Sequence, residues 1–90
     1  MIKYIKIQEV DGDTYKSNFI LTNKSPMVIR IKRIYDWYNV YIVNMKTLES
    51  LFIGRVDNLK LAKMTGRKFI LSNYGIVSNK CMRNMSFLKQ

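Results

Sequence analysis

Histidine is absent from this 90-residue chain, and every acidic residue is absent after Asp57. Cysteine, proline and alanine occur once each, as Cys81, Pro26 and Ala62. Without histidine the commonest general base is missing, and every His-dependent nucleophilic arrangement is excluded. A lone cysteine closes no internal disulfide, and no Cys/His cluster exists to hold zinc, so Cys81 is expected as a small apolar residue of a core or helix face. No apolar run approaches the ~20 residues that span a bilayer. The N-terminal stretch alternates Lys3 and Lys6 with apolar residues and lacks the continuous core of a signal peptide. The expectation is a cytoplasmic protein, of the producing cell or of an infected one, with no membrane partner.

Against these absences stand 16 Lys and Arg for six Asp and Glu, a net charge of +10. Seven of the cations fall in the 33 residues after Asp57. Such a field attracts polyanions. A hydrophobic content of 48% is enough to close one core, so residues 1–90 are read as a single basic domain and not as a disordered tail. Ile, Lys, Asn and Tyr, all with AT-rich codons, supply 36 residues. That bias points to a low-GC genome, of the kind from which small phage and mobile-element genes come.

Apolar patterning and turn signals predict strands over Ile2–Val10, Tyr15–Thr22, Met27–Ile34, Tyr38–Met45 and Ser50–Arg55, the fourth apolar on both faces and so placed centrally. Asp11-Gly12 reads as a type I′ hairpin turn with positive φ at its centre, and Asn23 to Pro26 as a second turn. The turn near Tyr35–Trp37 has two solutions. A three-residue loop sets Ile29 and Ile31 with Tyr41 and Val43; a two-residue loop sets them with Val40 and Ile42. Both faces of that strand are apolar, so patterning does not choose. Asp57 looks like an N-cap, residues 58–65 a short helix, Gly66 its C-terminal stop, and 67–72 a late strand. In the tail, Cys81, Met85 and Leu88 share helical spacing, so 78–90 is either a short docked helix or a flexible tail. The fold class is mostly β (α+β): a small antiparallel sheet or barrel of five to six short strands with one short helix. An uncovered edge strand would allow two copies to pair.

Carboxylate chemistry finds little support. Counting a calcium loop from Asp11 fails at three places (Tyr15, Lys16 where glycine is needed, and Thr22), and turn chemistry explains Asp11 and Asp13. Three of the six carboxylates (Glu9, Asp11 and Asp13) belong to one hairpin, too few elsewhere for a metal nuclease. Thr65-Gly66-Arg67-Lys68 has one glycine and no phosphate-loop pattern. The expectation is therefore a protein that is not an enzyme, with no metal and no cofactor.

Binding chemistry is better represented. Arg30, Lys32 and Arg33 lie beside Tyr35, Trp37, Tyr38 and Tyr41, and cations interleaved with rings suit single-stranded nucleic acid. Trp37 and Tyr38 are the candidate stacking residues; Tyr41 is expected in the core, since strand aromatics commonly pack there. Lys60, Lys63, Arg67 and Lys68 form a second basic group, although the helix dipole would by itself favour cations near a helix end. The leading expectation is a non-catalytic module for nucleic acid, DNA or RNA. The alternative is a mobile-element protein that inhibits or adapts a host protein, its cations meeting an acidic or nucleoprotein surface such as a defence nuclease.

Overall fold

Alternating apolar and polar residues over the first two thirds of the chain fold into an antiparallel meander. The structure, a computed structural model, describes residues 5–75. Strands β1 (Ile7–Asp11), β2 (Thr14–Ser17), β3 (Ile20–Leu21), β4 (Pro26–Ile34), β5 (Trp37–Asn44) and β6 (Ser50–Val56) precede helix α1 (Leu59–Asn73). They form one sheet in the order β1-β2-β4-β5-β6, with the short β3 also beside β4. The domain is mostly β, and the open strand order makes it a sheet covered by a helix, not a closed barrel. The predicted strand over 15–22 is broken in two between Ser17 and Ile20, where the Ser17 hydroxyl takes the amide of Ile29 at 2.8 Å.

Turn chemistry sets the registers. Asp11 pairs with Thr14 across the first hairpin, so Gly12 and Asp13 are its central residues. No described glycine has positive φ, which corrects the type I′ expectation. The Asp11 carboxylate does the work instead, accepting the amides of Asp13 and Thr14 at 3.0 Å each. These bonds hold its pKa below the usual carboxylate value, helped by the charge of Lys32. Between β4 and β5 the loop has two residues, because Ile34 pairs with Trp37. Tyr35 absorbs the reversal at φ 58. Ile29 therefore faces Ile42, and Ile31 faces Val40.

These four residues are almost wholly buried and form the inner face of the sheet with Ile7, Ile20 and Met27. Helix α1 closes that face with Ala62, Gly66 and Ile70, a stripe at i, i+4 and i+8. Gly66 does not stop the helix. A Cβ there would sit 2.5 Å from Ile29 Cγ2, so glycine is present because the helix lies close against β4. The helix continues through Arg67–Ser72, which is not a late strand, and all described strands precede it. Its N-cap is Asn58, whose side chain accepts the Leu61 amide at 2.8 Å, and not Asp57. At the other end the Tyr74 amide reaches the Ile70 carbonyl, and Gly75 accepts the Asn23 amide at 2.7 Å, tying the helix end to the loop before β4. The predicted helix or tail over 78–90, with Cys81, lies outside the described residues. No helix among the described residues is long and apolar enough to cross a membrane.

Candidate functional site

Side chains alternating with the inner core residues project from the opposite, outer face of the sheet. The one described helix packs on the inner face. Cross-strand registers arrange the outer face in rows. In one, Gln8, Lys16, Arg30, Tyr41 and Phe52 are successive partners across β1, β2, β4, β5 and β6. In the next, Thr14, Lys32, Asn39 and Arg55 are successive partners. Trp37 stands beyond them opposite Ile34, 48% exposed. Four cations and three rings thus share one surface.

A bulge completes it. Val40 pairs with Gly54 but Tyr41 pairs with Phe52, leaving Ile53 as the extra residue of β6. In a regular ladder Phe52 would face the core; the bulge puts Ile53 against the core and Phe52 outside. There the Phe52 ring meets Tyr41 edge-on, with centroids 5.6 Å apart. The Tyr41 hydroxyl accepts from Asn39 Nδ2 at 3.5 Å, and Asn39 Oδ1 accepts from Arg55 Nε at 3.0 Å. Asn39 is 95% buried beneath these partners, whereas Phe52 is 52% exposed. The network links Arg55 through Asn39 to the Tyr41 hydroxyl, and Phe52 packs on the Tyr41 ring.

The face is strongly biased to positive charge. Of the six acidic residues, Asp13, Asp36, Glu49 and Asp57 lie between elements. Glu9 falls on the inner side opposite Tyr15, where burial first and then the Glu9 charge raise the Tyr15 pKa. Only Asp11 reaches the outer rim, engaged by its own turn. Lys16 and Arg30 are direct cross-strand partners. Like charges so placed oppose each other by about 0.2–1 kcal/mol, a cost that a bound anion would relieve.

The residues singled out from sequence are divided by this geometry. Arg30, Lys32 and Trp37 lie on the outer face. Arg33 falls on the inner side opposite Tyr38, with its Nε donating to the Tyr35 carbonyl at 3.1 Å. Tyr38 packs on Tyr15, ring centroids 6.4 Å apart, at the edge of the core. Lys60, Lys63, Arg67 and Lys68 all lie on α1, on the far side of the sheet from Arg30 and Lys32, and do not join them. None sits in the last turn of the longer helix, so the dipole does not account for them. Arg67 has a structural partner, donating from Nε to the Ile5 carbonyl at 3.1 Å. Sequence reasoning missed Lys16, Arg55, Asn39 and Phe52, and placed Tyr41 in the core. Lys16 was legible from the alternation of β2; Phe52 was not, because only the bulge turns it outward.

Among the described residues no three His, Cys, Asp or Glu side chains gather as metal ligands. No family model, curated protein or solved structure matches the chain.

Proposed function

We propose that this protein is a non-catalytic binding domain for single-stranded nucleic acid, DNA or RNA, which lies across the outer face of the sheet. The observation that carries the reading is the pair of adjacent rows, in which Lys16, Arg30, Lys32 and Arg55 surround the Tyr41–Phe52 pair, with Asp11 at the rim as the one carboxylate beside them. Cations neutralise the phosphates while rings take unpaired bases, a combination that tolerates many sequences. Stacking requires bases that are not already stacked in a duplex, which favours single strands. The row from Lys16 to Phe52 crosses four strands, roughly 14 Å at ~4.8 Å per strand spacing. A four-stranded sheet of that width offers stacking positions for two or three bases.

Trp37 shares this face and reports on it. Titration of its fluorescence with 12-nucleotide oligomers should show saturable binding whose logarithm falls with log salt at a slope of roughly −3, for four phosphates neutralised on a single strand. A blunt duplex of equal length should bind more weakly. Absence of binding to any oligomer at 50 mM salt contradicts the reading.

A further inference from the structure

At one end of the outer face lies a depression of about 420 Å³ whose walls differ in chemistry. Lys16 and Arg30, a cross-strand pair of like charge, line it on one side. Val43, Met45 and Leu48 form the other side, two of them contributed by the loop between β5 and β6. Thr14, Ser50 and the carboxylate-bearing Asp11 complete the lining. An apolar wall facing a cation pair across a few side chains suits a ligand with a flat apolar part and an anionic part.

Leu48 makes this wall conspicuous. It sits at φ 66, where a leucine side chain is disfavoured and glycine or asparagine is at ease, and it is 69% exposed. The loop holds it there: the Leu48 amide donates to the Asn44 carbonyl at 2.6 Å, and Asn44 Oδ1 accepts the amides of Lys46 and Thr47. The conformation is over-determined by hydrogen bonds while the apolar side chain is left standing over the depression, as expected where strain serves a site.

Building on the nucleic-acid reading, we propose that this depression is a nucleotide subsite, its phosphate held between Lys16 and Arg30 and its base laid against Val43, Met45 and Leu48. A strand occupying it would continue toward the Tyr41–Phe52 pair, which shares the Lys16–Arg30 row. Asp11 also lines the depression, on the cation side, where its carboxylate is engaged by the amides of Asp13 and Thr14 and offset by Lys32.

The test is amide chemical-shift mapping of the full chain with uridine 5′-monophosphate, uridine, inorganic phosphate and a uridine 12-mer, in wild type and Leu48→Asn. Asparagine suits the left-handed backbone, so the variant should keep or gain thermal stability. The monophosphate should shift Thr14, Lys16, Arg30, Val43 and Leu48 at millimolar concentration, with uridine and phosphate each at least tenfold weaker. Leu48→Asn should weaken the monophosphate at least fivefold and the 12-mer by less than that. Shifts from the monophosphate no larger than those from phosphate, with Val43 and Leu48 unmoved, would overturn the subsite. So would a 12-mer that shifts Tyr41 and Phe52 but leaves the depression unmoved, and in that case the wider nucleic-acid reading stands. No shift from the 12-mer anywhere removes both.

Discussion

Tyr41 and Phe52 meet edge to face across β5 and β6 with ring centroids 5.6 Å apart, and they meet because Ile53 bulges out of the ladder. If these rings stack on bases, Phe52→Ala should weaken binding of a single-stranded 12-mer by about 1–3 kcal/mol, roughly 5- to 150-fold. The unfolding midpoint should move little, because Phe52 is already half exposed. Fluorescence titration of Trp37 beside a thermal melt separates the two effects. An unchanged affinity would remove the rings from the site.

Gly66 tests the packing of helix on sheet. An added methyl would fall 2.5 Å from Ile29 Cγ2, and Ile29 is fully buried with nowhere to retreat. Overpacking of this kind costs about 1–3 kcal/mol, more than the ~1 kcal/mol that alanine gains over glycine in a helix. Gly66→Ala should therefore lower the midpoint by several degrees. Gly54→Ala should be mild, since its nearest neighbour, Thr65 Cγ2, would lie at 3.7 Å. Combined with Ile29→Ala, the loss from Gly66→Ala should be less than additive by about 0.5 kcal/mol or more.

Lys16 and Arg30 predict a conflict between stability and binding. Lys16→Glu replaces a repulsive cross-strand pair by an attractive one. It should stabilise the free protein by about 0.2–1 kcal/mol, or roughly 1–6 °C in a melt. The same change should weaken oligomer binding at least tenfold. A variant both less stable and equally able to bind would contradict this account of the pair.

Asp11 contributes to the acid side of the stability profile. Its pKa in the folded chain is lowered, chiefly by the Asp13 amide. The charged carboxylate thus contributes stability that is fully present above the ordinary aspartate range, near pH 3.9, and is lost as pH falls through the lower folded value. Asp11→Asn keeps an acceptor oxygen for the turn but removes the titration. Melts from pH 6 to pH 2 should show a smaller decline for the variant than for wild type. Parallel profiles would mean that the carboxylate charge does not support the turn.

Much of the sheet could be read from residue order. Alternation located β4 and the start of β2, apolar runs between turn residues located β5 and β6 within a few residues, and proline marked the start of β4. Two features misled it. Gly66 is punctuation in a local reading, but its meaning here is the closeness of Ile29, a residue 37 positions away. The outer-face rings depend on a bulge at Ile53, which flips Phe52 and leaves no period-two trace. Charge was legible as a total but not as a surface. Arg30, Lys32 and Arg33 are near neighbours in sequence, yet the pleat sends Arg33 to the other side, while Lys16 and Arg55 join from distant strands. The choice at Tyr35–Trp37 needed the tertiary structure, since both faces of β5 are apolar.

The most direct measurement is the salt dependence of single-strand binding for two paired charge reversals. Arg30→Glu with Lys32→Glu alters the outer face; Lys60→Glu with Lys68→Glu alters the exposed side of α1 by the same net charge. If the outer face binds the strand, the first pair should lose at least thirtyfold in affinity, and its log–log salt slope should become shallower by about 1.4, two phosphates' worth. The helix pair should bind within a few-fold of wild type with its slope nearly unchanged. Equal losses from both pairs would mean that overall charge, and not this face, does the binding; a larger loss from the helix pair would place the site on α1.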